Sequence, residues 1–167
     1  MTGDGVRSIG FAPAVSDATR LLVLGSLPGI ASLNAAQYYA HPRNSFWPIA
    51  AALTRQPLHS LAYEERLQAL LQSGIGLWDV LASAERSGSL DSAIRSPEAA
   101  DLLALVRTLP RLEAIGFNGK AAALTGRRIL EGHIGPVRLI DLPSTSPAYT
   151  LPFDAKLALW RERLPSF

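Results

Sequence analysis

The chain has 167 residues, of which 48% are hydrophobic and 18% are charged. This length and composition fit one compact domain with a sizeable apolar core, and they exclude a disordered chain. The longest apolar runs, such as residues 21–24, are far too short to cross a bilayer. Residues 1–11 lack the apolar core and the cleavage site of a signal peptide, so we expect a cytoplasmic protein.

The sequence contains no cysteine, which excludes disulfides, thiolate metal sites and iron–sulfur clusters. The three histidines are scattered without the spacing of metal ligands, so we expect neither a metal nor another cofactor. The 16 lysines and arginines against 14 acidic residues give a formal net charge of +2, which does not by itself indicate nucleic acid. Residues 114–138 are locally basic, with Glu131 as their single acid. Solvated helix surfaces would explain that cluster equally well.

Apolar runs and helical patterns alternate along the chain. The first apolar run, residues 20–26, ends in Gly-Ser and is predicted to be a buried strand. Three more buried strands are predicted at residues 75–81, 112–117 and 137–142. Helices are predicted between the strands and after the last one, at residues 32–39, 45–53, 63–74, 97–108, 118–132 and 154–164.

Two of these helices carry local signals at their starts. Pro48 lies in the first turn of the helix over 45–53, where a proline is tolerated. Ser96 and Pro97 are typical of an N-cap and a first helical position, so they predict a helix that runs to about Thr108. The polar segment before them, residues 83–96, is predicted to be an exposed loop.

Strands that alternate with helices predict an α/β protein, here a three-layer α/β/α sandwich with a central four-stranded parallel sheet. Without an internal repeat or a linker, residues 1–167 are expected to form a single domain with its core at about residues 20–164. Ligands of open parallel sheets bind beyond the carboxyl ends of the strands. The segments after the four strands should therefore share one crevice with the loop at 40–44, namely residues 25–29, 78–80, 117–120 and 143–149.

The motifs in these segments are ambiguous when each is taken alone. GSLPG, at residues 25–29, could bring backbone amides to a phosphate or a base edge, but a tight turn explains it as well. It is neither a Walker loop nor a dinucleotide fingerprint. The hydroxyls of residues 144–146 could hold a phosphate or cap a turn. Asn118 could bind a ligand together with Lys120 at a helix start, or it could be an N-cap, and the same alternative applies to Asn44.

Taken together, three ordered motifs resemble the uracil-DNA glycosylase superfamily, in particular its hypoxanthine-DNA glycosylase branch and its mismatch-specific uracil glycosylases. They are GSLPG after the first strand, YAHPRNSFW at residues 39–47, and STSP at residues 144–147 after the last strand. The resemblance spans about residues 21–164. It implies a repair enzyme that flips a deaminated base out of DNA and hydrolyses its N-glycosidic bond, leaving an abasic site. Hypoxanthine from deoxyinosine is the base that it implies.

One departure from the superfamily pattern bears on the catalytic residue. Uracil enzymes carry a catalytic asparagine or aspartate at the third position of the first motif, where this chain has Leu27, which cannot orient a nucleophile. In the hypoxanthine branch the catalytic asparagine lies in the HPRN loop, which implies Asn44 here, holding the attacking water. Ser144 replaces a histidine of the last motif, so no imidazole assists the departing base.

The resemblance also implies the residues that bind the base and the DNA. Tyr39 lies at the position of a stacking aromatic residue, although a core tyrosine is the alternative. Asp79 lies where uracil enzymes place a base-reading asparagine; it would accept the N1–H of hypoxanthine or merely cap a turn. The remaining base contacts are expected from Gly25, Ser26, Leu27 and Ser144. DNA contacts are expected from His41, Arg43, Asn118, Lys120 and Ser146, and from a wedge residue, Tyr149 or Leu151.

Three other interpretations are open at this point. The chain could be a mismatch-specific uracil-DNA glycosylase, or a damaged-DNA-binding module without catalysis, since Leu27 removes the usual catalytic group. It could also be a small α/β enzyme that binds a mononucleotide through GSLPG. The first two share with the main prediction a partner, DNA that contains deaminated bases, and we expect the chain to act as a monomer.

Overall fold

The computed structural model describes residues 6–166. Two predictions extend outside these residues. The segment predicted not to be a signal peptide includes residues 1–5, and the predicted domain 1–167 includes both undescribed ends. The strands are β1 (Arg7–Ile9), β2 (Leu21–Gly25), β3 (Ile75–Asp79), β4 (Leu81–Arg86), β5 (Ile94–Ala99), β6 (Ala114–Asn118) and β7 (Arg138–Leu142). The helices are α1 (Ile30–Ala35), α2 (Phe46–Thr54), α3 (Tyr63–Gln72), α4 (Leu102–Arg107), α5 (Lys120–Leu130) and α6 (Phe153–Arg163).

The central sheet has four parallel strands, as predicted, and their order in the sheet is β3-β2-β6-β7. Strand β2 lies inside the sheet and is buried along its whole length, which explains its uninterrupted apolar run. Its register against β3 runs from Leu21 beside Ile75 to Gly25 beside Asp79. The first motif and Asp79 therefore emerge next to each other at the carboxyl edge of the sheet.

Helices cover both faces of this sheet, which confirms the α/β/α sandwich. Leu21 and Val23 of β2 face one apolar core, which also contains side chains of α2, α3 and α6. Leu22 and Leu24 face a second core, which contains side chains of α4 and α5. The alternation of side chains along the strand thus divides its apolar residues between two layers. Within the described residues no helix is long and apolar enough to span a membrane.

Most of the predicted helices are confirmed within a few residues, but the first one is displaced. It was expected at residues 32–39, whereas α1 ends at Ala35. The chain then takes left-handed backbone conformations at Ala36, with φ 53°, and at Tyr39, with φ 56°. Such conformations terminate helices, so Tyr39 belongs to the loop that leads into AHPRN.

The prediction of an exposed loop at residues 83–96 is wrong. Strands β4 and β5 pair antiparallel in this region, and β1 pairs with β4, which gives a second sheet in the order β1-β4-β5. The sequence conceals β4 because alanine and serine occupy positions where β-branched residues would mark a strand. The pairing also contains register shifts near Ser83, so the strand has no clean alternation.

The predicted start of the following helix is also wrong. Ser96 is not an N-cap; it lies in β5 with φ 47°. Pro97 is accommodated because β5 is an edge strand, where a missing N–H donor leaves no partner unpaired. Helix α4 begins at Leu102, and its N-cap is Asp101, whose Oδ1 accepts a hydrogen bond from the Ala104 amide at 3.2 Å.

Candidate active site

A cleft of about 860 Å³ opens beyond the carboxyl ends of the four parallel strands. Its lining includes residues 25–29, Asp79, residues 118–120 and residues 143–149, together with Tyr39, His41 and Asn44. The predicted convergence of the polar motifs in one crevice is therefore confirmed. Two of the residues assigned to DNA do not line it, namely Arg43, whose side chain is exposed, and Leu151, which is partly buried.

Asn44 lies in the cleft wall directly before α2. Its Oδ1 accepts a hydrogen bond from the Phe46 amide at 2.9 Å, which forms an Asx turn, while the N-cap position itself belongs to Ser45. The Ser45 amide donates to the Thr145 carbonyl at 2.9 Å and so ties this loop to the last motif. A carbonyl oxygen has two lone pairs. The amide oxygen of Asn44 is therefore fixed in place and can accept one further hydrogen bond.

His41 supports the same loop. Its Nδ1 accepts a hydrogen bond from the Arg43 amide at 3.0 Å, and its carbonyl accepts one from the Asn44 amide at 2.9 Å. These contacts brace the loop, whereas the DNA contact expected of His41 stays a prediction.

Tyr39 provides an aromatic surface inside the cleft. Its ring stacks on Phe46 with centroids 4.2 Å apart and an interplanar angle of 27°. Phe46 is itself buried in the core, so the stack cannot shift away from the sheet. The left-handed backbone of Tyr39 costs energy for a residue other than glycine, and such strain concentrates at functional sites. A planar ring that lies against Tyr39 would extend this stack.

The carboxyl group of Asp79 and the hydroxyl of Tyr39 meet over Gly25. A Cβ on Gly25 would lie 2.6 Å from Asp79 Oδ1 and 3.3 Å from Tyr39 Oη, so only glycine leaves room for both groups. Asp79 is 5% exposed, and neither its Oδ2 nor Tyr39 Oη has a hydrogen-bond partner within residues 6–166. Buried polar atoms without partners are rare and costly. These two atoms are therefore suited to the polar edge of a ligand.

The environment of these groups sets their protonation. Burial raises the pKa of Asp79 from 3.8 to about 7, with opposition from the charge of Arg86 and reinforcement from that of Asp91. Burial, followed by the charge of Asp79, also raises the pKa of Tyr39, so its hydroxyl stays protonated and can donate a hydrogen bond. A polar contact with the Asn118 side chain opposes that rise. Asn118 Nδ2 gives one of its two hydrogens to Thr145 Oγ1, so the second is available to a neighbour.

Arg86 is a site residue that the sequence analysis missed. Its side chain is 1% exposed, with Nη1 3.9 Å from Asp91 Oδ1. Its Nη2 donates a hydrogen bond to the Pro28 carbonyl of the first motif. Burial lowers its pKa, but a guanidinium in a protein keeps its charge. It lies in a segment predicted to be an exposed loop, and no local pattern in the sequence marks that segment as a strand.

The opposite wall of the cleft is formed by the ends of β6 and β7. Asn118 Nδ2 donates to Thr145 Oγ1 at 2.9 Å, and the Thr145 amide donates to Asn118 Oδ1 at 2.9 Å. Ser144 Oγ accepts from the Ser146 amide at 3.1 Å, and Ser146 Oγ accepts from the Ala148 amide at 3.2 Å. The serines of the last motif thus cap its turn. Their hydroxyl hydrogens are left to donate to a ligand.

Two further residues assigned to DNA lie at the rim. Lys120 is exposed at the start of α5 and borders the cleft. Tyr149 borders it as well, is 45% exposed, and has Lys156 Nζ 5.4 Å from its ring centroid. Lys156 is buried and its Nζ donates to the Ser146 carbonyl at 3.1 Å, so this part of the rim is held firmly. Leu27 is 6% exposed and packs in the second core, where it offers the cleft no polar atom.

Among the described residues, no group of three or more histidine or acidic side chains is arranged to hold a metal ion. The cleft instead presents the Tyr39 ring, the unpartnered Oδ2 of Asp79 and the Asn44 amide. The class defined by this fold is an α/β/α protein with a polar cleft beyond the carboxyl ends of its parallel strands. The family profile described as "Uracil DNA glycosylase superfamily" matches residues 12–166, and the chain belongs to that superfamily.

Individual relatives agree with this assignment. The chain is 40% identical over 115 residues to a "Hypoxanthine DNA glycosylase" of Methanosarcina barkeri, in a match that covers 69% of this chain and 73% of the relative. A protein of the same name from Methanosarcina acetivorans is 40% identical over 113 residues, which cover 68% of this chain and 72% of that one. A protein of Methanosarcina acetivorans with a solution structure determined by NMR superposes with a TM-score of 0.80 and 34% identity, over 94% of this chain and 98% of that one.

Proposed function

We propose that the chain is a monofunctional DNA N-glycosylase that flips hypoxanthine out of DNA and hydrolyses its N-glycosidic bond. The observation that carries the proposal is one cleft in which the Asn44 amide accompanies the unpartnered polar atoms of Asp79 and Tyr39. Support for hypoxanthine comes from the names of the two relatives that are 40% identical. A base inside duplex DNA is out of reach, so the nucleotide must leave the stack and enter this cleft.

Asn44 is the residue proposed to act on the sugar. Leu27 offers the cleft no polar atom, whereas Asn44 lines the cleft and its Oδ1 can accept a bond from a water besides the one from the Phe46 amide. As the bond from C1′ to the base nitrogen lengthens, its electron pair departs with the base and C1′ gains oxocarbenium character. The water held by Asn44 Oδ1 adds to C1′, and its proton passes to solvent or to the departing base. Position and electrostatics matter more than a strong base in such a step.

Asp79 and Tyr39 are proposed to recognise the base. The Asp79 carboxylate would accept the N1–H of hypoxanthine, a donor that adenine lacks, while the Tyr39 hydroxyl would donate to the carbonyl oxygen of the base. The Tyr39 contact becomes stronger as negative charge builds on the departing ring, because the hydroxyl is buried. The ionised Asp79 gains nothing from that charge, so its proposed role is recognition of the base and not stabilisation of the leaving group. The ring would lie against Tyr39. A wrong base would leave both buried polar atoms without partners. This costs more binding free energy than the loss of an apolar contact would.

Single-turnover release of hypoxanthine from a labelled duplex, by wild type and by Asn44→Ala, tests the proposal. Release should fall by on the order of 100-fold or more in the variant, as expected for a lost transition-state contact. Asn34→Ala is the matched control, because Asn34 is exposed on α1 and does not line the cleft. Release that persists in Asn44→Ala would move the chemistry to another residue.

Duplexes that contain uracil test the alternative of a mismatch-specific uracil-DNA glycosylase, which superfamily membership keeps open. If no duplex releases a base although damaged DNA binds tightly, the damaged-DNA-binding module would be the remaining interpretation. The mononucleotide-binding enzyme has less support, since the Asp79 carboxylate beside Gly25 would repel a phosphate at the first motif. A monomeric state, the absence of a metal or cofactor, and a cytoplasmic location stay predictions.

A further inference from the structure

The tip of the hairpin formed by β4 and β5 borders the cleft, and the proposed chemistry makes no use of it. Residues 89–92 at this tip belong to the lining of the cleft. Leu90 is 56% exposed there, and the adjacent Ile30 of the lining is 48% exposed. An isolated exposed leucine, such as Leu124 on α5 at 74%, needs no explanation. Two exposed aliphatic side chains at the mouth of a polar cleft suggest a contact surface.

Hydrogen bonds on both sides of Leu90 hold the tip in place. Ser89 Oγ accepts a bond from the Ile30 amide at 2.8 Å, and Asp91 Oδ1 accepts one from Ser26 Oγ at 2.5 Å. Ser89 also packs against Gly29, where a Cβ would lie 3.2 Å from its Oγ. Leu90 is therefore presented to solvent by a turn that is attached to the first motif. A backbone turn already held in this way loses little freedom on binding.

The charge around Leu90 is compatible with a polyanion. The neighbouring acid is Asp91, whose carboxylate accepts a bond from Ser26 and has Arg86 Nη1 at 3.9 Å. Its negative charge is thus partly balanced within the protein. Lys120 adds a positive charge elsewhere on the rim of the same cleft.

Leu90 and Tyr149 lie on opposite sides of the cleft. The tip with Leu90 is bonded to the segment after β2, and the segment with Tyr149 follows β7, two strands further along the sheet. Two spacings of about 4.8 Å place these strands roughly 10 Å apart. Nucleotides follow one another at about 3.4 Å along one strand of DNA, so this span corresponds to roughly three nucleotides. A nucleotide that enters the cleft would have one apolar side chain on each side of it.

We propose that Leu90 inserts into the base stack of duplex DNA, on the side of the flipped nucleotide that faces away from Tyr149. Inserted apolar side chains part neighbouring bases and kink the duplex, which favours extrusion of the nucleotide between them. This inference rests on the proposed function in one respect, that the ligand of the cleft is damaged DNA. It assigns a DNA contact to a segment outside the three motifs of the superfamily.

Binding to a duplex that contains a tetrahydrofuran abasic analogue tests Leu90 without any catalysis. Leu90→Ala should weaken this binding by on the order of 10-fold and reduce the fluorescence of a 2-aminopurine placed next to the analogue. Binding to the same strand alone should stay within about twofold, because a single strand has no paired stack to open. Leu124→Ala, an exposed leucine outside the cleft, should match wild type on both ligands.

The outcomes separate this inference from the proposed function. If wild type releases no hypoxanthine but Leu90→Ala binds the duplex more weakly than wild type, the proposed chemistry is overturned and the insertion is kept. Duplex affinity equal to wild type in Leu90→Ala would overturn the insertion, whatever the activity. An equal loss on duplex and single strand would also overturn it and assign Leu90 to the base pocket. Loss of a concentration-dependent dimer with unchanged DNA binding would show that a second copy of the chain covers Leu90.

Discussion

The two walls of the cleft satisfy their polar groups in different ways. On the wall formed by β6 and β7, Asn118 and Thr145 share two reciprocal hydrogen bonds, and the serines of the last motif cap their own turn. On the wall formed by β2, β3 and the hairpin, polar atoms of Tyr39, Asp79 and Arg86 are buried without partners. The first wall is complete, in that its buried polar side chains have hydrogen-bond partners, whereas the second wall is incomplete.

This difference indicates where recognition takes place. A buried polar atom without a partner destabilises the fold, and natural proteins retain such atoms mainly where they serve a function. The incomplete wall therefore offers its atoms to the base, while the complete wall holds the loops in register. The four predictions below test this division, in order of decreasing effect.

The largest expected effect is on the pH dependence of stability, through Asp79→Asn. The pKa of Asp79 is raised to about 7 in the folded protein, so the folded state binds this proton more tightly than the unfolded state. Asp79 therefore lowers stability progressively as pH rises from about 4 to about 7, by ~4 kcal/mol at most. In Asp79→Asn this loss should disappear, and the variant should exceed wild type in urea unfolding at about pH 8.

Asp101→Asn is the control for that experiment, because asparagine caps a helix as well as aspartate does and Asp101 is exposed. It should keep the pH dependence of wild type. If Asp79→Asn unfolds with the same pH dependence as wild type, this would contradict the view that the buried carboxylate on this wall destabilises the folded protein.

Arg86→Met should lower the free energy of unfolding by ~2 kcal/mol, because the Pro28 carbonyl and the Asp91 carboxylate lose a charged partner. Urea unfolding at neutral pH measures the change. The matched variant is Arg95→Met on β5 of the same hairpin, whose guanidinium bonds only to exposed carbonyls nearby, and it should change stability little. Equal stabilities of the two variants would show that Arg86 does not hold the first motif.

Thr145→Val tests the complete wall. The substitution preserves shape but leaves Asn118 Nδ2 without its acceptor, which should cost about 1 kcal/mol of stability. Base release should fall by less than about 10-fold, because Asn44 loses only an indirect support. Thr108→Val, at an exposed position after α4, is the control for both measurements. A loss of activity as large as that of Asn44→Ala would place chemistry on this wall.

The smallest effect is expected at the rim. Lys120→Ala should weaken DNA binding similarly for all sequences and reduce the slope of log affinity against log salt by about 1, as for one lost phosphate contact. Arg111→Ala should leave that slope unchanged, because Arg111 precedes β6 and lies at the opposite end of the sheet. Titrations at several salt concentrations measure both slopes, and equal slopes would remove Lys120 from the interface.

The parallel sheet was predictable because β2, β3 and β6 are apolar runs bounded by turns and are buried along most of their length. The convergence of motifs followed from that sheet, since parallel strands present their carboxyl ends to one edge. The hairpin was not predictable, because small residues and Pro97 give its strands no periodic signal. Arg86 was missed as a site residue because it lies in this hairpin. The hydrogen bonds between Asn118 and Thr145 join residues far apart in sequence, so no local sequence pattern predicts them.

The central claim is that the ionised carboxylate of Asp79 receives the base, and the pH dependence of catalysis tests it most directly. Single-turnover release of hypoxanthine should be measured from about pH 5 to about pH 9 for wild type and Asp79→Asn. The wild-type rate should rise with an apparent pKa of about 7, and this rise should be absent from a slower Asp79→Asn. A rise of the same size and midpoint in Asp79→Asn would contradict the claim and assign the ionisation to another group.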